Sequence, residues 1–294
     1  GVSALPADRQ TVIAYLEWLA TNNRRPDPRR GREGKFLPLV KVSTISLHRS
    51  AIAYFHETSG HPSPVSDKQS KEYLSGLKRK LADKRPEQTK SRPKAPMGLD
   101  ELRKVVAPLP DTLRGKRDRA LLVLGFWGAF RRSELAALTV ADIDTRGDKL
   151  TITLQRSKTD QEGKGTKKYF QAIDDKTICP VAAYRAWLDA AQIQSGVVFR
   201  SIDRWGHAHE GQMDGREVAR IVKEACKRAG IDERNYAGHS LRRGFVTAAN
   251  YAEVKDSDIM EQTGHRSVTT LNRYKDDVGV GALRAISSIL GAAK

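Results

Sequence analysis

The sequence predicts a mainly α-helical protein with a small β-sheet, organised as two units. Three observations carry that expectation. Apolar residues recur at helical spacing along most of the chain; strict alternation is confined to Leu150, Ile152 and Leu154 with threonines between them; and a proline-rich basic stretch over 86–98 separates two such regions. At 294 residues each unit is long enough to bury a core of its own.

In order along the chain, Val12, Leu16 and Leu19, with Tyr15 beside them, form an i, i+4, i+7 stripe that predicts a helix over 8–20. Residues 22–34, rich in arginine and proline, have no period and read as a loop. A second helix is expected over 43–58, with Ile45, Ile52 and Phe55 on its apolar side. At about 100° per residue the opposite side carries Ser43, Ser46, Arg49 and Ser50. Small polar groups with one cation suit a helix lying in a DNA major groove, and an ordinary wet surface has the same composition. A third helix, 66–84, contains the basic run Lys78, Arg79 and Lys80. Over 86–98, three prolines bar helix while Lys90, Arg92 and Lys94 supply a basic face, which is the composition of a linker. The expected division is therefore 1–85, a linker over 86–98, and 99–294.

Beyond the linker, 99–107 and 116–130 read as helices, the second mostly buried. The alternation over 150–154 predicts a half-buried strand. A polar glycine-containing turn over 158–167 follows, and 168–173 is expected to return as its hairpin partner. Further helices are expected over 180–193, 214–229, 239–252, 256–263 and 267–274. Val280, Leu283, Ile286, Ile289 and Leu290 add a last amphipathic segment.

Charge narrows the class of partner. The chain has 52 Lys and Arg against 35 Asp and Glu, a net charge of +17, with 19 basic against 9 acidic residues before Met97 and 33 against 26 from there on. A positive excess spread over both units fits a protein that encloses a polyanion, although a merely soluble basic protein shares it. Only Cys179 and Cys226 are present, without C-x-x-C or zinc spacing, so a reducing compartment is expected and a disulfide framework or structural metal is not. The longest apolar run, 120–130, is far short of the ~20 residues that span a bilayer. No secretory signal is visible, and a cytoplasmic, nucleoid-associated protein without a membrane partner is expected. The chain opens on Gly1 rather than Met, which implies processing or truncation.

The chemistry concentrates in the last third. His239-Ser240-Leu241-Arg242 is followed by Gly264-His265 and then by Tyr274; upstream lie Arg131 in Arg-Arg-Ser-Glu-Leu and Lys158 in Arg-Ser-Lys-Thr-Asp. A phosphodiester repels nucleophiles, and charge builds on its non-bridging oxygens as attack proceeds, so a catalyst needs fixed cations around them. Arginine meets that need with a planar fork that grips two oxygens and keeps its proton. His239 and Arg242, at i and i+3, share one face of a helix starting near Gly238, where unpaired N–H groups also favour an anion. A tyrosine has a pKa near 10 and needs an acceptor for its proton; His239 is the candidate acceptor.

In order and spacing this set resembles the tyrosine recombinase (phage integrase) family, whose signature runs Arg, Lys, His-x-x-Arg, His or Trp, Tyr. The Gly238-His239-Ser240 form of the central motif looks most like Cre and its relatives. The resemblance covers most of 99–294 in motif order and 1–97 more loosely. It selects Arg131 and Arg242 over their neighbours Arg132 and Arg243. It implies Tyr274 as nucleophile, Lys158 as general acid (with Lys164, Lys167 and Lys168 in the same stretch), His265 as a donor to a non-bridging oxygen, and Glu134 as an orienting group. It implies a helical core-binding domain and an α+β catalytic domain closing as a C-shaped clamp, with a C-terminal exchange helix. The implied substrate is double-stranded DNA with an inverted-repeat site, acted on by a homotetramer without metal, cofactor or ATP. One departure stands at the front, where the family commonly has another helix before one like 8–20. A type IB topoisomerase, a telomere resolvase and a DNA-binding module without catalysis are the alternatives.

Overall fold

A computed structural model describes residues 3–21, 40–84, 94–154 and 165–275, with residues 273–275 described by backbone alone. The expected loop 22–34, Lys90, Arg92, Lys158, Lys164 and the expected amphipathic segment 278–290 lie outside the described residues. The chain divides into two compact units, Gly1–Pro93 and Lys94–Lys294.

The first unit contains α1 (Arg9–Thr21), α2 (Val42–Thr58) and α3 (Lys68–Lys84). Val12, Leu16 and Leu19 of α1 pack with Ile45 of α2, Val65, and Leu74, Leu77 and Leu81 of α3. One expected core residue is misplaced: Phe55 is 60% exposed, and its neighbour His56 is buried instead. The His56 ring explains the exchange. Its Nδ1 donates to the Ile52 carbonyl at 2.8 Å and its Nε2 accepts from the Ala7 amide at 2.9 Å, so a buried polar ring is fully paired.

The second unit is mainly helical. It comprises α4 (Leu99–Val106), α5 (Leu113–Trp127), α6 (Arg132–Ala137), β1 (Ile143–Arg146), β2 (Lys149–Leu154), β3 (Thr166–Gln171), α7 (Pro180–Ala191), β4 (Arg200–Ile202), β5 (Ala208–Gln212), α8 (Gly215–Arg228), α9 (Gly238–Tyr251), α10 (Asp256–Thr263) and α11 (Val268–Lys275), with two short 3₁₀ turns. Strands β1, β2 and β3 form an antiparallel sheet in that order, and β4 pairs with β5 separately. Helix α5 is the central element. Thr112 caps it by accepting from the Gly115 amide, and Ala120–Leu124 are buried. Trp187 of α7, Val218, Ile221 and Val222 of α8, and Leu241 of α9 complete the core around it.

The end of the expected linker belongs to this core. Met97 is fully buried, its amide bonds the Ser240 carbonyl at 3.0 Å, and Ala95 bonds the Asn235 carbonyl at 2.8 Å. Gly244 permits the crossing: a Cβ there would lie 1.7 Å from the Met97 oxygen. Strands β1, β4 and β5 and helix α6 have no counterpart among the sequence expectations. Lys167, expected in the turn, lies on β3, which begins two residues before Lys168, the residue expected to open that strand.

Candidate active site

Four of the expected residues converge on one cleft of about 680 Å³. Arg131, His239, Arg242 and His265 line it, together with Arg132, Ser133, the 212–216 segment between β5 and α8, and Thr270 of α11.

Arg131 stands at the end of the turn that leaves α5 and caps α6. Its amide donates to Glu134 Oε2 at 2.9 Å and its guanidinium donates to Oε1 at 2.6 Å. One carboxylate therefore fixes both the backbone entry to α6 and the direction of the arginine fork. Its neighbour Arg132 is exposed on the cleft rim.

Arg242 is 1% exposed on α9. Its guanidinium donates to the Ala129 carbonyl at 2.6 Å and to His265 Nε2 at 2.9 Å. Ala129 has φ of +47°, a left-handed conformation that costs a non-glycine residue about 1 kcal/mol or more. That conformation belongs to the residue whose carbonyl receives the buried arginine. Arg243 faces elsewhere and donates to the Lys94 carbonyl. Lys94 itself donates to the Arg234 carbonyl.

His265 follows Gly264, which ends α10 with φ of +70°. Since Nε2 accepts from Arg242, the ring proton sits on Nδ1, which donates to Thr263 Oγ1 at 2.8 Å; Thr263 donates in turn to the Ile259 carbonyl at 2.7 Å. Burial, and then the charges of Arg242 and Arg131, push His265 down to about 4. His239, at the start of α9, is also pushed to about 4, by loss of water on its inner side and then by Arg242, Arg243, Arg131 and Arg132, although its outer edge is exposed. Both rings are thus neutral at pH 7 and able to accept a proton.

A depressed histidine pKa stabilises the fold fully above the unfolded value near 6.5, and that contribution is lost as pH falls toward 4. In the DNA-free protein, long-range ¹H–¹⁵N spectra are expected to show His265 as the neutral Nδ1–H tautomer down to about pH 4, with stability declining from pH 6.5 to 4. A ring that titrates near 6.5 would contradict this geometry.

Tyr274 lies on α11, one turn beyond Thr270, and Leu271 anchors that helix against Val246 and Ile259. Lys168, which the sequence offers only as one of the lysines beside Lys158, is set apart by the fold. It is 1% exposed, donates to the Gln262 carbonyl and lies 5.1 Å from the Phe130 ring centre. Burial, and then Arg242, lower its pKa to about 7. The signal was present in the alternation of β3, where Phe170 points inward and period two carries Lys168 with it.

In the first unit, Ser43, Ser50 and Arg79 are exposed, while Ser46 and Lys78 are half-buried. Arg49 turns back to the Val65 carbonyl at 3.3 Å. Among the described residues no cluster of His, Cys, Asp and Glu could hold a metal ion, and no helix is long and apolar enough to cross a membrane.

The model of the Phage integrase family matches residues 97–278, more than half of the chain and all of the cleft. The chain belongs to the phage integrase family, the tyrosine-type DNA recombinases. Over 279 residues it is 35% identical to an integrase/recombinase xerD homolog of Selenomonas ruminantium, covering 93% of this chain and 75% of that one. Its fold matches the XerH site-specific recombinase bound to palindromic difH substrate in a post-cleavage complex, with a TM-score of 0.53, 15% identity and coverage of 84% and 72%. It also matches the Tn1549 transposon integrase in complex with circular intermediate DNA, with a TM-score of 0.52, 14% identity and coverage of 92% and 82%. These likenesses place this integrase-family chain among mainly helical catalytic domains with a small sheet.

Proposed function

We propose that this protein is a site-specific recombinase that cuts and rejoins DNA through a 3′-phosphotyrosyl intermediate. The observation that carries this reading is the convergence of Arg131, His239, Arg242 and His265 on one cleft, bordered by the helix that continues to Tyr274. The arginine forks would hold the non-bridging oxygens as charge builds on them, with His265 seating the Arg242 fork through Nε2. The Tyr274 phenol oxygen bonds to phosphorus, the bond to the 5′-oxygen breaks, His239 takes the phenolic proton, and Lys158 supplies one to the leaving oxygen. The phosphotyrosine keeps the bond energy, so attack by a 5′-hydroxyl from a second duplex rejoins the strand without ATP. Arg131 and Arg242 do the electrostatic work that metals do in two-metal nucleases, so the reaction calls for no metal or cofactor.

The DNA in the XerH and Tn1549 complexes and the +17 charge support duplex DNA as partner. The same reading has residues 1–85 binding the core site through Ser43, Ser46, Arg49, Ser50, Lys78 and Arg79, and the linker, with Lys90, Arg92 and Lys94, tracking the backbone. A homotetramer on two inverted-repeat sites would exchange strands through a four-way junction beside the nucleoid. The finer likeness to Cre rests on Gly238-His239-Ser240 alone.

The test is to incubate the protein with site DNA carrying a nick opposite the scissile bond and to isolate a denaturation-resistant adduct. A peptide joined through Tyr274 to a 3′-phosphate supports the reading, and a two-site exchange assay separates recombinase from topoisomerase. Tight binding without an adduct on any such DNA overturns it in favour of a binding protein.

A further inference from the structure

Lys168 has a place in the fold that the cleavage scheme leaves unused. Strand β3 pairs with β2 so that Lys168 stands opposite Ile152 and Phe170 opposite Leu150, on the face that packs into the core. An apolar side chain is the ordinary occupant of that position, since a buried ammonium is costly unless it is well paired. Its partners come from two further elements. The Gln262 carbonyl, on the last turn of α10, accepts a hydrogen bond from its ammonium, and the Phe130 ring, next to Arg131, lies beneath it at 5.1 Å. Phe130 stacks in turn on Phe170 with centroids 6.3 Å apart.

Gln262 extends the junction through its side chain. Nε2 donates to the Trp127 carbonyl at 2.8 Å, and Oε1 accepts from the Tyr169 amide at 3.4 Å. Three segments therefore meet at one point: β3, the end of α5 that leads to Arg131, and the end of α10 that leads to His265. Strand β2 ends at Leu154 and β3 begins at Thr166, so Lys168 lies two residues into the returning strand.

We propose that Lys168 is a positioning residue for strand cleavage, holding the β2–β3 hairpin in register with the turns that present Arg131 and His265. This role rests on the functional reading given above. Lys168 acts through those groups, because its ammonium is directed at Gln262 and Phe130. The charged groups facing it are Arg242 of α9 and Arg131 and Glu134 at the start of α6, and the titratable ring of His265, neutral at pH 7, lies after α10. With its pKa near 7, its proton, and with it the strength of the tie, is lost as pH rises beyond that value; a phosphate in the cleft moves this loss upward.

The experiment compares the wild type with Lys168→Met, which keeps length and apolar volume and removes the charge. Single-turnover adduct formation on nicked site DNA and DNA affinity are measured from pH 6 to 9. Lys168→Met is expected to bind DNA as the wild type does and to form adduct up to ~10²-fold more slowly, the scale of a small misplacement of reacting groups. The wild-type rate should fall on the alkaline side in a way that the variant does not reproduce. Its stability relative to wild type should be greater at pH 6 than at pH 9, because the buried lysine stabilises the fold less as pH falls through about 7. A Lys168→Met rate within a factor of about two of wild type at every pH overturns the role, since packing alone would then suffice. If that variant does not fold, Gln262→Ala carries the test: slowed cleavage with unchanged affinity supports the junction, and a wild-type rate overturns it. Absence of adduct from the wild type itself overturns the functional reading, and this role falls with it.

Discussion

Tyr274→Phe is expected to abolish the covalent protein–DNA adduct while leaving DNA affinity within about twofold of wild type, because phosphate and groove contacts set affinity and a single hydroxyl adds little to them. The substitution removes one oxygen and keeps the ring, so α11 and its Leu271 anchor against Val246 and Ile259 are preserved. The effect is all-or-none because, in the proposed scheme, the phenol oxygen is the atom that bonds to phosphorus. Among the described residues lining the cleft, only Ser133 and Thr270 carry hydroxyls, and neither has the acidity of a phenol. The other tyrosines are poorer candidates: burial pushes Tyr184 up to about 12, and neither Tyr169 nor Tyr251 lines the cleft. The measurement is adduct yield on nicked DNA beside a binding isotherm at fixed salt. An adduct formed by Tyr274→Phe would transfer the nucleophile to Ser133 or Thr270 and sink the phosphotyrosine scheme.

How far the sequence revealed this site depends on which physical signal each part left. The core helices were legible because burial imposes a period: Val12, Leu16 and Leu19 are all buried, as is the run in α5. Strand β2 was legible for the same reason. Strands β1 and β5 were not, since almost every side chain on them is exposed and their pairing rests on main-chain bonds that leave no apolar alternation. Phe55 and His56 exchanged places because hydrophobicity ranks phenylalanine inside, whereas two hydrogen bonds decide the matter for histidine. The arginines and histidines of the cleft were legible as types at fixed spacing, with the choice between Arg131 and Arg132, or Arg242 and Arg243, supplied by resemblance alone. The fold gives these neighbours different surroundings: Arg131 is tied to Glu134 and Arg243 to the Lys94 carbonyl. Nothing in the spacing revealed the Ala129 carbonyl as the seat of Arg242, because a left-handed alanine has no sequence signature. Lys168 was hidden among the lysines of one stretch, and only its phase relative to Phe170 sets it apart.

Arg242→Ala is expected to slow cleavage by about 10²–10³-fold, equivalent to ~2.7–4 kcal/mol of transition-state stabilisation, the usual cost of removing one preorganised oxyanion donor. Its structural consequences run in opposite directions. The Ala129 carbonyl loses its donor, and an unpaired buried acceptor costs ~1–3 kcal/mol. Repulsion among the cations of the cleft is relieved at the same time, so His239 and His265 should titrate above their present values of about 4, though burial keeps them below 6.5. The histidine shift separates chemistry from folding: a misfolded variant would carry both rings to 6.5, while a folded one moves them partway. Arg242→Lys sharpens the distinction. It restores the positive charge and should hold the histidines low, yet one ammonium cannot reproduce a planar fork that serves both the Ala129 carbonyl and His265 Nε2. Cleavage by Arg242→Lys should therefore stay well below wild type despite the recovered charge. If Arg242→Lys cleaves as fast as wild type, the site requires charge alone, and the bidentate geometry assigned to Arg242 is wrong.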